Sequence, residues 1–261
     1  GGHHMTDHKP GQMTGRIYRL TPKGGSGKYS IPKNRTALSM LASPNMASRY
    51  IAWQQLNAVG AKAEDTLAKL WQGDDQRLRA RALHLLARIN GLGEKYIGAA
   101  LGDSNADIRI AGLRIARERG HDVIPLVTQL VGDPSAAVRR ECAIALRHND
   151  SPAAPALWAK LAQQHDGADR WYLEALGLAL DRQQDKFFGA WLEVVGSNWD
   201  TPAGRDIVWR SRSRMTPDLL VKILLNKKTK EADKPRYIRA LDFQSGPEKN
   251  AALIKLLSAG S

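Results

Sequence analysis

The feature that most constrains this chain is a self-match at a shift of 30 residues: GDSNADIRIAGLRIAR, starting at Gly102, overlays GDPSAAVRRECAIALR, starting at Gly132. Arg49, Arg79, Arg109 and Arg139 keep the same spacing, Arg170 follows 31 later, and Asp74, Asp103, Asp133 and Asp166 stand in the turns ahead of the last four of these arginines. A period of this length marks a repeat array, because one unit cannot bury its apolar faces alone and neighbours must stack to share a core. Apolar residues recur at helical spacing within each unit, as at Ile108, Ala111, Gly112 and Ile115, after a turn rich in Gly, Asp, Ser and Pro. Each unit therefore reads as two amphipathic helices. The predicted pairs are 36–42 with 46–59, 64–72 with 76–89, 93–101 with 106–119, 122–131 with 136–148, and 154–165 with 168–181. Beyond Arg182 the period drifts, with helices expected near 185–195, 202–213, 216–226, 233–241 and 246–258. Drift is expected where a terminal unit turns a polar face to water.

The recurrence also decides what the Asp and Arg positions do. An aspartate in the turn can satisfy the free amides of the next helix start, and the arginine after it can reach the aspartate of an adjacent unit. A catalytic pair would not recur in every unit, so Asp74, Asp103 and Asp133 with Arg49, Arg79, Arg109 and Arg139 read as a structural ladder. Pro125 falls in the first turn of a helix, where the missing amide costs nothing.

Pro125, Asp133 and Arg139, followed by Ala143 and Leu146, match the HEAT-repeat consensus, so the chain resembles a HEAT-repeat protein. The unit near Gly93 lacks the proline. The resemblance implies an all-α fold: a right-handed α-solenoid of about seven to eight HEAT-like helical hairpins, regular over 36–182 and irregular over 183–261, preceded by a short extended linker. In that N-terminal part, residues 1–5 (GGHHM) read as a tag remnant, and 6–35 as a linker with one strand-like segment, GRIYRLTPKG. GGSGKYS after it lacks the first glycine and the Ser/Thr of a phosphate loop, so it reads as a tether.

A narrower resemblance rests on GRIYRLTPKG, LASPNMASRYIAWQQL, TPAGRDIVWRSRSR and RYIRALDF in this order. It is similar to the middle of membrane-bound dehydrogenases of planctomycete and verrucomicrobial bacteria, in which a β-propeller precedes a HEAT-like region and a c-type cytochrome follows. This resemblance implies an extracytoplasmic redox protein, periplasmic or extracellular, in which the present segment is a connecting scaffold. A cytoplasmic location is expected if the resemblance fails. Haem c would belong to a domain outside this segment, since Cys142 is the one cysteine and no CxxCH occurs. No cofactor or metal is expected in this chain, and a monomer is expected.

The net charge of +13 raises nucleic acid as a partner. Residues 1–35 carry seven basic and one acidic side chain, 36–182 carry 18 and 16, and 183–261 carry 14 and 9. The near balance of the middle argues against a continuous basic groove. No apolar run approaches the ~20 residues of a membrane-spanning helix. Cys142 sits on an apolar helix face and reads as a buried, inert thiol. The histidines have no metal-ligand spacing, and His84 reads as a packing residue. Trp53, Trp71, Trp158, Trp171 and Trp191 lie among Ala and Leu at helical positions and read as core.

The richest constellation is GSNWDTPAGRDIVWRSRSR, residues 196–214. Trp199, Trp209, Arg205, Arg210, Arg212 and Arg214 combine stacking surfaces with guanidinium donors. With a helix over 202–213, Asp206 would pair with Arg210 one turn on, and Trp209 would neighbour Arg205. Arg236 closes the basic loop NKKTKEADKPR. This set is the candidate interaction site. Three functions compete: a non-catalytic scaffold binding adjacent domains of the same polypeptide or a protein partner, a nucleic-acid-binding solenoid, and a carbohydrate or polyanion site at 196–214.

Overall fold

The computed structural model describes residues 36–259, so the tag remnant, the strand-like segment and the glycine-rich tether lie outside the described residues. Helix follows helix: α1 (Ala37–Leu41), α2 (Met46–Val59), α3 (Glu64–Trp71), α4 (Gln76–Leu86), α5 (Gly93–Leu101), α6 (Ala106–Glu118), α7 (Ile124–Leu130), α8 (Ala136–Ala145), α9 (Ala154–Ala162), α10 (Arg170–Ala179), α11 (Gln184–Val195), α12 (Pro202–Arg210), α13 (Thr216–Leu225), α14 (Lys234–Asp242) and α15 (Pro247–Ala259). No strand occurs among the described residues. The helices are all-α solenoid units: α1 packs on α2, α3 on α4, α5 on α6, α7 on α8, α9 on α10 and α13 on α14. The second helices form a continuous layer, since α2, α4, α6, α8, α10, α12 and α14 each touch the next.

Local chemistry sets the helix ends. Thr36, Asn45, Asp75, Asn105, Asp169 and Thr201 cap helices with side-chain oxygens that accept first-turn amides. Proline stands in the first turn of α7, α9, α12, α13 and α14, where no intrahelical amide is lost. The 30-residue shift reappears as packing: Ile108, Gly112, Leu113, Ile115 and Ala116 are buried on α6, and Val138, Cys142, Ala143, Ala145 and Leu146 occupy the same stripe one unit on. At Gly112 an added Cβ would lie 2.9 Å from Ala100 Cβ, so α5 and α6 need a small residue there.

Two expectations are corrected at the C-terminal end. The helix expected over 202–213 stops at Arg210, because Ser211 turns extended (ψ 154°) and buries its hydroxyl against Thr216. The last described unit is not a polar cap either: α15 leaves Leu253, Ile254 and Leu257 exposed, and Ile238 on α14 and Phe243 just after it are exposed too.

Candidate interaction surface

The ladder takes a definite form in space. Asp103 and Asp133 each turn one carboxylate oxygen back to the amide two residues on, that of Asn105 (2.9 Å) and Ser135 (2.8 Å), and so shape the turn ahead of the helix cap. The carboxylates also receive arginines from the preceding unit: Arg79 meets Asp103, and Arg109 grips Asp133 with Nε at 2.7 Å and Nη2 at 2.8 Å. Arg109 also donates to the carbonyls of its own turn, Asp103 (2.8 Å) and Ser104 (3.1 Å), so one guanidinium ties two successive turns. Burial pushes the Asp133 carboxyl up, but Arg109 and the Ser135 amide outweigh it and hold the group below its ordinary value.

The flanking rungs differ. Arg49 reaches the Ser43 and Pro44 carbonyls at 2.9 and 2.8 Å and meets no carboxylate among the described residues. Asp74 is exposed, and its neighbour Asp75 caps α4. Arg139 donates to the Asp133 carbonyl at 2.6 Å and stacks over Tyr172, because the turn of the next unit is longer and carries its aspartate at 166.

The constellation at 196–214 separates into three places. Arg205 pairs with Asp200 and donates to Thr229 Oγ1 at 3.0 Å, bracing the ends of α12 and α13, while Trp199 packs half-buried against the core. Arg212 and Arg214 lie past the end of α12. Arg212 donates to the Trp209 and Ser211 carbonyls and stacks over Phe243, and burial lowers its pKa. Arg214 pairs with Asp185 at 2.7 Å. Asp206 does not pair with Arg210: it accepts from Arg236 at 2.7 Å and meets buried His165 at 3.2 Å. Arg210 instead crosses to Glu174 on α10 at 2.9 Å, passing over Gly177, where a Cβ would lie 2.4 Å from its Cζ. Trp209 is flanked by the guanidinium groups of Arg236 (4.4 Å) and Arg170 (5.7 Å). Of the set, Asp206 and Trp209 thus meet Arg236, and Arg210 meets Glu174 on the neighbouring second helix.

That layer also overturns the argument from charge balance. Within 36–182 the second helices carry ten basic and four acidic residues, whereas the first helices carry three of each. Over all described helices the second layer holds fifteen basic and six acidic residues against seven and seven in the first. Charge that averages out along the sequence is sorted by the fold.

Across α6, α8 and α10 the layer opens into a cleft of about 320 Å³ lined by Ile110, Ala137, Ile144, Trp171, Ala175 and Leu178, with Arg114, Arg140, Glu141 and Glu174 among them. Trp171, expected in the core, is 70% exposed here. Its register holds the signal that could have found it: Trp171 stands 31 residues after Arg140 and 61 after Ile110, on the outward stripe, while Tyr172, Leu173 and Leu176 take the core positions. Glu141 is buried between Arg114 (2.7 Å) and Arg117 (3.4 Å), and Glu174 sits between Arg170 (2.6 Å) and Arg210. A second cleft, of about 370 Å³, lies at α2 and α4 among Tyr50, Trp53, Arg81 and His84, so His84 lines a surface rather than packing inside.

Cys142 is fully buried, and burial pushes its thiol up to about 12. Among the described residues no group of three or more His, Cys, Asp or Glu is placed to hold a metal ion, and no helix is long and apolar enough to cross a membrane. A comparison with curated proteins finds no match to the chain. The family model described as HEAT repeats matches residues 94–177. This match runs from α5 into α10, less than half of the chain, so that stretch is similar to HEAT repeats, and the helices on both sides of it pack neighbour to neighbour in the same way.

Proposed function

We propose that this chain acts as a HEAT-type scaffold that holds protein partners against its second-helix face. The observation that carries the reading is the excess positive charge of that face together with the partly apolar cleft across α6, α8 and α10 in which Trp171 stands in solvent. Large exposed aromatics flanked by arginine are the usual anchors of protein interfaces. The reading assigns the chain binding rather than catalysis.

The finer proposal takes its support from the sequence resemblance alone: the scaffold joins a propeller dehydrogenase domain to a cytochrome c domain in a periplasmic or extracellular redox protein. Expression of the chain beside the flanking domains of its reading frame, as separate polypeptides, tests both. Saturable association at moderate salt is expected. Its absence for both flanking domains would overturn the intramolecular role.

Nucleic acid binding is the second reading, favoured by the fifteen-to-six charge ratio of the second helices. It predicts retention that falls steeply with salt.

A further inference from the structure

We propose that the cleft across α6, α8 and α10 takes an acidic protein segment that inserts an aromatic or aliphatic anchor beside Trp171. The inference rests on the scaffold reading and adds the chemistry of the partner.

Two features of the cleft carry it. The first is an apolar floor with one large side chain left uncovered. Ile110, Ile144 and Ala175 line the base, Leu178 is exposed, and Trp171 makes no ring contact with another aromatic or a cation among the described residues. A partner side chain placed there would remove Trp171 and Leu178 from water together.

The second is the arrangement of charge. Each of the two carboxylates in the cleft is clamped by two arginines, Glu141 by Arg114 and Arg117, and Glu174 by Arg170 and Arg210. Each cluster therefore keeps one uncompensated positive charge, and Arg114, Arg170 and Arg210 are already held by hydrogen bonds to the carboxylates. Arg114 spends only Nε on Glu141 and is half exposed, while Arg140 meets Asp169 at 3.5 Å without a hydrogen bond. Their free N–H forks suit an incoming carboxylate, and the hydrogen bond that already holds Arg114 lowers the entropy cost of binding it there.

A polynucleotide is the less favoured occupant: the two clusters leave only two uncompensated positive charges for a phosphate chain, and beside Trp171 the lining offers bases no second aromatic to stack on. Neighbouring helices lie roughly 10 Å apart, so the three span about 20 Å, enough for a short peptide segment.

The test begins with a random peptide library displayed against the intact chain. Enriched peptides are expected to be net negative and to carry Trp, Phe or Leu. A labelled peptide from that set should lose about ten-fold or more in affinity for Trp171→Ala and several-fold for Arg140→Ala, with both variants melting as the wild type does. Val194→Asp, on the exposed side of α11, should bind as the wild type does. Failure to enrich any peptide, enrichment of basic peptides, or binding indifferent to Trp171→Ala would overturn the proposal. So would a labelled DNA duplex of ~20 base pairs that binds more tightly than the peptide at about 150 mM salt. Should the flanking domains still associate with Trp171→Ala, the scaffold reading stands and the assignment of this cleft falls.

Discussion

At the scale of single residues, Asp133 shows how one carboxylate can do two jobs. It closes its own turn through Ser135 and anchors Arg109 of the preceding unit while only 8% exposed. Asp133→Ala would leave the Arg109 guanidinium without its carboxylate, and the expected loss of stability at neutral pH is about 2–4 kcal/mol. Arg147→Ala, which removes an exposed pair with Asp181, should cost under about 1 kcal/mol. The pH dependence has a fixed sign. Asp133 titrates below its ordinary value of 3.8 in the folded chain, so its contribution is complete above that value and fades as pH falls through the folded one. Urea unfolding at about pH 7 and about pH 3 should show the gap between wild type and Asp133→Ala closing in acid. An equal gap at both would sink the assignment.

At the scale of elements, α12 shows what local pattern can and cannot reveal. Most helix bounds follow from caps, prolines and spacing, so α2 and α5 begin and end where the sequence predicts. The stop of α12 at Arg210 does not, because it depends on burying Ser211, Ser213 and Thr216 between neighbouring helices. The same limit hid the partners of the arginines. Spacing along one helix suggested Asp206 with Arg210, but stacking delivers Glu174 and Arg236, 36 residues before and 30 after their respective partners. Trp171 escapes local pattern for a related reason: composition around it is apolar, and only its register against neighbouring units turns it outward. The start of α12 permits a sharp test. A Cβ on Gly204 would stand 2.0 Å from the Trp199 carbonyl oxygen, a backbone atom that cannot swing aside. Gly204→Ala should therefore lower the melting temperature by an amount matching about 1–3 kcal/mol, and an unchanged melt would show that the turn yields freely.

At the scale of the whole molecule, each unit touches chiefly its neighbours, so stability should be greatest where units are flanked on both sides. Hydrogen exchange is expected to be slowest in α6 to α10, where Ile108, Leu113, Val138 and Leu146 are buried, and faster in α1, α2, α14 and α15. Uniform protection along the chain would contradict a picture of locally additive units.

The rungs of the ladder reach further than their energy. Arg79 and Arg109 each meet an aspartate 24 residues ahead, across one turn and into the next unit. Excision of residues 103–132 would set Asp133 at that same distance from Arg79 and rejoin the rung, whereas removal of a few residues would leave the guanidinium short of its mark. The ladder is in this sense a gauge: it lets the array grow or shrink by whole units and penalises every length between.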